Sequence, residues 1–168
     1  MNSCRKAKIE NPLDSDLTFQ FRLLDNNGRV STTFNQGENL RFSLLIINKT
    51  KKNWVLKQES LNSNDDFFRV YQNSGDKKNI GRPLISPIFT EKIPYIPIID
   101  TLRLEMDWIP NPNMDYHRLD NYHSNNSPLA VGKYRTGFTT LFSFYNVGVD
   151  TTTYKTDSKS FNIDFEVK

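Results

Sequence analysis

Two histidines and two aspartates lie within nine residues of one another and are the chain's first candidates for chemistry. They are Asp115, His117, Asp120 and His123, in the segment MDYHRLDNYH. Imidazole and carboxylate groups can ligate zinc or another divalent ion. Their spacing matches none of the common zinc patterns, and polar loops are rich in these residue types. We therefore expect a solvated loop here, with no metal site and no cofactor.

Acid–base and nucleophilic catalysis find little support elsewhere in the sequence. The only histidines are the two in that loop, and the only cysteine is Cys4, near the start of the chain. Asp65 and Asp66 are adjacent, and neighbouring strand residues point to opposite faces, so they do not form a pair that flanks a sugar bond. No Gly-rich phosphate loop occurs. The sequence predicts a protein that is not an enzyme.

Aromatic residues in predicted loops and at strand ends favour a binding surface instead. Tyr95, Tyr116 and Tyr122 lie close to Asn and Asp residues, a combination that can hold a sugar or a peptide. Trp54 follows the lysine-rich turn segment NKTKKN and is a further candidate for contact with a partner. Trp108 falls on the apolar face of a predicted strand, so we expect it in the core.

The elements that must position these residues are predicted to be strands. Apolar and polar residues alternate in LTFQFRLL (17–24), GENLRFSLLIIN (37–48), TLRLEMDW (101–108) and KSFNIDFEV (159–167). Such alternation is typical of a strand with one buried face. The run LLII indicates that the second of these strands is central in its sheet. No stretch repeats with a period of 3.6 residues over three turns.

Other segments give weaker signals. DNNG (25–28) predicts a turn, and DDFFRVYQ (65–72) predicts a strand in which Phe68 and Val70 alternate with Phe67. Residues 129–147 predict a strand or a bent pair of strands, with Gly137 as a bulge. The segment that follows them, residues 148–158, predicts a turn region.

Two long connections are predicted to lie outside the regular sheets. Residues 82–100 contain four prolines, which remove backbone donors, and are predicted to form an extended apolar loop or an edge segment. Residues 110–128 are predicted to form a long polar and aromatic loop. Long ordered loops of compact domains often carry function.

The pattern as a whole predicts an all-β protein. The chain has 168 residues, with 12 Phe and 7 Tyr but only two alanines, which favours strands over helices. We expect about seven to nine strands in a single immunoglobulin-like antiparallel β-sandwich formed by residues 15–168. A lone cysteine excludes an internal disulfide.

The first residues predict attachment to a membrane. MNSC resembles the end of a bacterial lipoprotein signal, in which Cys4 becomes the lipidated residue. Residues 1–14 are then a flexible tether, and the location is the cell envelope, in the periplasm or at the outer membrane. A cytoplasmic location is the alternative. The net charge of +3 comes from interspersed charges without a nucleic-acid motif, so we expect no nucleic-acid partner.

The order of several segments resembles the BsuPI-like intracellular proteinase inhibitor family. The matching features are a strand that ends in Asn48, the run DFFRVYQNSGDK, a strand that ends in Trp108, and VGKY, in which Val131 replaces the usual proline. The resemblance covers residues 37–167 and implies a small immunoglobulin-like sandwich. It also implies a protease inhibitor.

The predicted function is that of a non-enzymatic binding or scaffold module of the bacterial envelope. Its long loops, 82–100 and 110–128, are expected to contact an unknown protein or carbohydrate partner. The alternative is a protease inhibitor that uses the proline-rich loop 82–100.

Overall fold

The computed structural model describes residues 9–10, 15–57, 59–62, 64–73, 77–83, 94–109, 126–148 and 152–168. Within these ranges the chain forms thirteen strands and one short helix, α1 (Glu59–Asn62). The strands are β1 (Ile9–Glu10), β2 (Leu17–Leu24), β3 (Thr33–Phe34), β4 (Arg41–Asn48), β5 (Trp54–Leu56), β6 (Val70–Gln72), β7 (Lys78–Gly81), β8 (Tyr95–Ile96), β9 (Thr101–Asp107), β10 (Gly132–Thr140), β11 (Ser143–Asn146), β12 (Thr153–Lys155) and β13 (Lys159–Val167).

One layer is a three-stranded antiparallel sheet, β2-β4-β9, which we call the β4 sheet. Leu44 of β4 lies opposite Phe21 of β2 and Leu104 of β9. The apolar residues that alternate along these strands face inward, and β4 is the central strand. The alternation read from the sequence is therefore confirmed for all three strands.

The other layer consists of two five-stranded sheets. Their three inner strands correspond, because β12, β11 and β5 of one are neighbours in the chain of β13, β10 and β6 of the other. The β11 half-sheet runs β1-β12-β11-β5-β8, and the β10 half-sheet runs β3-β13-β10-β6-β7. The chain passes directly from β10 to β11 and from β12 to β13, so each pair forms one long strand with a break. We call the line that joins these breaks the bend.

Hydrogen bonds across the bend hold the half-sheets together. Ser60 of α1 accepts a bond from the Ser143 amide at its hydroxyl (2.8 Å) and one from the Thr140 hydroxyl at its carbonyl (2.7 Å). The Phe142 amide donates to the Thr156 hydroxyl, and the Thr156 amide donates to the Phe142 carbonyl. These bonds satisfy backbone groups that the strand breaks would otherwise leave without partners.

This sheet order confirms the predicted immunoglobulin-like sandwich. In that fold one sheet carries the first, second and fifth strands, and the other carries the third, sixth and seventh. Here β2, β4 and β9 form the first set, while β5 with β6, β10 with β11, and β12 with β13 form the second. The structure has more strand segments than the sequence predicts, because the bend divides two long strands and because short edge strands, β1, β3, β7 and β8, add to the half-sheets.

Aromatic rings fill the space between the layers. Phe21 packs on Phe138 with ring centroids 5.3 Å apart, and Phe19 stacks on Phe142 at 4.6 Å. Trp108 is buried and its indole Nε1 donates to the Ser127 carbonyl, as expected for a core residue at the edge of the sheet.

The prediction of one continuous strand over 65–72 was wrong. Residues 65–68 form turns, and the strand begins only at Val70. Phe68 has a positive φ of 60°, which lets both Phe67 and Phe68 point into the core, where each is fully buried. The gain from burying two large rings there offsets a backbone conformation that side chains disfavour.

Three further expectations are corrected or refined. Gly137 is not a bulge, because the register between β10 and β13 is continuous from Gly132 to Thr140. The predicted turn region 148–158 contains the strand β12. In the proline-rich segment, β8 is an edge strand as expected, and residues 84–93 lie outside the described part of the chain. In the described ranges no helix is long and apolar enough to cross a bilayer.

The close approach of the β10 and β13 backbones explains why position 137 is a glycine. It also predicts the effect of a substitution there on stability. A Cβ at this position would collide with the Phe161 carbonyl oxygen and lie 2.8 Å from the Asn162 Oδ1 atom. We expect Gly137→Ala to lower the free energy of unfolding by at least about 2 kcal/mol, because the paired strands must separate. Urea denaturation measures this effect. The control is Lys133→Ala, an exposed change on the same strand, for which we expect a change within about 0.5 kcal/mol. Equal stabilities of the two variants would contradict the close approach.

Candidate functional site

Most of the predicted site residues lie outside the described part of the chain. These are Cys4 and the loop residues Asp115, Tyr116, His117, Asp120, Tyr122 and His123. The predicted lipid anchor and the loop surface therefore stay predictions. In the described residues, no group of three His, Cys, Asp or Glu side chains is placed to hold a metal ion. Tyr95 lies half-buried on the edge strand β8.

Trp54 is a core residue and offers no surface to a partner. Its side chain is 0% exposed, its Nε1 donates to the Thr50 hydroxyl at 3.2 Å, and its ring meets Tyr154 edge-on at 5.1 Å. The prediction that Trp54 contacts a partner does not fit this burial. The signal was present in the sequence, since WVL is an uninterrupted apolar run and all three residues of β5 are buried.

The segment that precedes Trp54 is held by a single amide side chain. Asn48 is buried, and its Nδ2 donates to the carbonyls of Lys52 (2.8 Å) and Pro97 (2.7 Å). Its Oδ1 accepts from the amide and the hydroxyl of Thr50. Asn48 therefore fixes the connection by which the chain leaves the β4 sheet for the β11 half-sheet.

A polar groove on the outer face of the β10 half-sheet is the strongest candidate site in the described residues. It consists of two adjoining cavities of about 370 and 420 Å³, which share Asp66 and Thr139. We call it the Gly137 groove. The first cavity is lined by Asp66, Tyr71, Gln72, Asn73, Lys77, Arg135, Gly137, Phe138, Thr139 and Asn162. The second is lined by Glu59, Ser60, Asn64, Asp65, Asp66, Thr139, Thr140, Leu141 and Ser143.

A glycine occupies an outward-facing position of a central strand in the lining of the groove. Along β10 the outward residues are Arg135, Gly137 and Thr139, while the residues between them are buried. Gly137 lines the first cavity between its two outward neighbours, and β13 approaches its backbone closely there. Asn162 lies opposite Gly137 on β13, and Tyr71 lies opposite Arg135 on β6.

Ion pairs and hydrogen bonds fix the walls of the first cavity. Arg135 forms two hydrogen bonds to the Asp164 carboxylate, of 2.7 and 3.0 Å. This bonding lowers the pKa of Asp164 and raises the pKa of Arg135 from their ordinary values. The Tyr71 hydroxyl donates to Asp66 at 2.6 Å. Burial, followed by this bond to the Asp66 carboxylate, raises the pKa of Tyr71, so the phenol stays neutral at physiological pH.

The turn beside the second cavity is held by two arginines and an asparagine. Both Arg69 Nε and Arg82 Nη1 donate to the Asp65 carbonyl, at 2.9 and 3.1 Å. Asn64 donates from its side chain to the Thr139 carbonyl, which ties the turn to β10. Partial burial and the nearby positive charge of Arg69 lower the pKa of Arg82. Arg69 and Arg82 also lie 3.5 and 3.8 Å from the carboxylates of Asp66 and Asp65, so the same arginines pair with both acidic side chains of the turn.

These side chains can form hydrogen bonds and ion pairs with a polar molecule. The groove presents fixed carboxylate, amide, hydroxyl and guanidinium groups beside one phenol ring, and its described lining contains no histidine or cysteine. Sequence reasoning missed this site. The available signal was a glycine inside GKYRTGFTT, at a position whose strand neighbours on the same face are polar.

The role assigned to Asn48 gives a prediction. We expect Asn48→Ala to lower the free energy of unfolding by about 3 kcal/mol, because two carbonyls lose their donor and the Thr50 amide loses its acceptor. Urea denaturation with Lys51→Ala as the matched exposed variant in the same segment measures the effect. A loss below about 1 kcal/mol would contradict the assigned role.

Comparison with known proteins gives distant structural likenesses. No family model and no curated protein matches the sequence. The Northeast Structural Genomics Consortium target SoR45 superposes with a TM-score of 0.42 at 10% identity, over 90% of this chain and 88% of its own. The ASH / PapD-like domain 7 of human CEP192 superposes with a TM-score of 0.43 at 9% identity, over 100% of this chain and 96% of its own. The immunoglobulin-like fold follows from the chain's own sheet order.

Proposed function

We propose that the chain is a non-enzymatic binding or scaffold module whose described contact surface is the Gly137 groove. The observation that carries this proposal is the groove itself, which consists of two adjoining cavities bordered by side chains that already hold one another in place. Preorganised polar groups lose little conformational entropy when a partner binds, which favours recognition. The carboxylates of the groove serve as hydrogen-bond acceptors in this proposal.

A polar polymer, either a carbohydrate or an extended peptide, fits the groove better than an apolar ligand. Two adjoining cavities give an elongated shape, and the lining offers both donors and acceptors. Tyr71 adds an aromatic ring at the side, where a sugar ring or a peptide bond can pack. The bonds between Tyr71 and Asp66 and between Arg135 and Asp164 keep these groups oriented without a partner.

The proposed setting is the bacterial cell envelope, with a lipid anchor on Cys4. This part of the proposal is supported by the sequence MNSC and by the polar segment that follows it. The loops 82–100 and 110–128 are proposed to add contacts to the same partner or to a second one. Labelling of the expressed chain with a radioactive fatty acid tests the anchor, and label that persists in a Cys4→Ala variant would contradict it.

A titration followed by amide NMR tests the groove. The probes are chito-oligosaccharides, cello-oligosaccharides and short peptides of acidic, basic and neutral composition. We expect at least one class to shift the amide signals of Arg135, Gly137 and Thr139 together. Asn162→Ala should weaken that binding by about fivefold, since one hydrogen bond contributes about 1 kcal/mol.

The matched control is Gln20→Ala, which removes an exposed amide from the outer face of the β4 sheet and should leave binding unchanged. Shifts that are confined to other surfaces for every probe would contradict the groove as the contact site. Equal weakening by Asn162→Ala and Gln20→Ala would contradict it as well.

A further inference from the structure

Exposed apolar side chains that do not pack in the core lie together at one end of the sandwich. This end comprises residues 49–53, 97–100 and 147–148, and we call it the Lys-rich end. Ile98, Ile99 and Val147 are 46%, 71% and 43% exposed there. Asn53 joins their segments, because its Oδ1 accepts from the Ile98 amide and its carbonyl accepts from the Val147 amide, each at 3.1 Å.

The backbone at this end places an isoleucine outward at an energetic cost. Ile99 has a φ of 53°, in the left-handed region that β-branched residues rarely adopt. Phe68 also has a positive φ, and its burial offsets the free-energy cost of that conformation. Ile99 is largely exposed and gains no comparable packing. Strained and exposed apolar residues in loops are more typical of contact surfaces than of structural turns.

Positive charge lies on one connection of the same end, where the Lys52 ammonium group is 5.7 Å from the centroid of the Trp54 ring. Lys49, Lys51 and Lys52 are exposed on the connection that Asn48 holds. The acidic residues in the described part of this end and directly beside it are Asp100 and Asp16, and Asp100 already accepts a bond from the Thr101 amide. Lysine side chains can extend past an apolar surface and place their ammonium groups among anionic headgroups.

The start of the chain enters the sandwich at the same end. The strand β1 pairs in parallel with β12, which begins just after the connection that contains Val147, so Ile9 lies towards the Lys-rich end. Cys4 precedes Ile9 by five residues, and a fully extended chain spans at most about 3.6 Å per residue. A group attached to Cys4 therefore stays within about 18 Å of Ile9.

We propose that the Lys-rich end is a membrane-contacting surface. It binds the anionic headgroup region of a lipid bilayer. Ile98, Ile99 and Val147 enter the boundary between headgroups and acyl chains, and the three lysines contact anionic headgroups. The proposal deepens the envelope location proposed above and rests on it for its biological setting. It orients the sandwich so that the opposite end points away from the membrane.

Flotation of vesicles with the full chain, without any attached lipid, tests the surface. The vesicles contain phosphatidylcholine and phosphatidylglycerol in equal parts, or phosphatidylcholine alone. We expect binding to the anionic vesicles that weakens as salt is added. The double variant Ile98→Ser with Ile99→Gly should reduce the partition coefficient by about tenfold or more, and glycine at position 99 accepts the positive φ.

The matched control is Val30→Ser with Val131→Ser, which removes two apolar residues of similar exposure, 62% and 58%, from the opposite end. This variant should bind as the parent chain does. The variant Lys51→Gln with Lys52→Gln should lose about tenfold in binding to the anionic vesicles. Absence of binding by the parent chain, or an equal loss in the two apolar variants, would overturn the proposal.

The vesicle experiment and the fatty-acid labelling test the Lys-rich end and the lipid anchor independently. Vesicle binding by the chain without lipid supports the Lys-rich end even if fatty-acid labelling shows that Cys4 is not modified. If Cys4 is lipidated but the chain without lipid binds neither kind of vesicle, the proposed anchor is supported and the proposed membrane-contacting surface is contradicted.

Discussion

Phe19 and Phe21 face inward from the same strand, two residues apart, and each packs against a different half-sheet. Phe19 contacts Phe142 and Phe144 of the β11 side, while Phe21 contacts Phe138 and Phe161 of the β10 half-sheet. Because one strand of the β4 sheet contacts both halves, neither half can move away without exposing large apolar rings to water. This shared aromatic packing is the constraint that makes a bent sheet a stable layer.

The bend and the groove have a common origin. The helix α1 lies at the bend and is followed in the chain by the turn that buries Phe67 and Phe68. The same turn supplies Asp65 and Asp66 to the groove. The residues that stabilise the core and those that line the outer surface are thus neighbours in sequence. The rigid inner packing explains why the outer polar groups stay in fixed positions.

The sequence was sufficient to predict the regular part of the fold. Alternation in β2, β9 and β13 gave the inward faces, and in β4 the run LLII interrupts the alternation and indicated a central strand. Phe67 and Phe68 broke the pattern because two adjacent rings are buried by a positive φ, which alternation does not encode. Trp54 was assigned to a contact surface because it directly follows the polar segment NKTKKN, although WVL is an uninterrupted apolar run.

The candidate site was harder to predict. Gly137 lines its first cavity, and the reason for a glycine there is the approach of the Phe161 carbonyl from a strand that is distant in sequence. The Lys-rich end likewise depends on Asn53, which joins two loops from different parts of the chain. Such contacts arise only when the sheets are assembled. Local propensity and spacing carry no information about them.

Native-state hydrogen exchange is the most direct test of the shared aromatic packing. The measurement compares amides of β11 with amides of β10 in the parent chain and in the variants Phe19→Ala and Phe21→Ala. If one cooperative layer exists, each variant lowers the opening free energy by the same amount in both half-sheets. The account is contradicted if Phe19→Ala weakens protection in the β11 half-sheet alone while β10 keeps the protection of the parent chain.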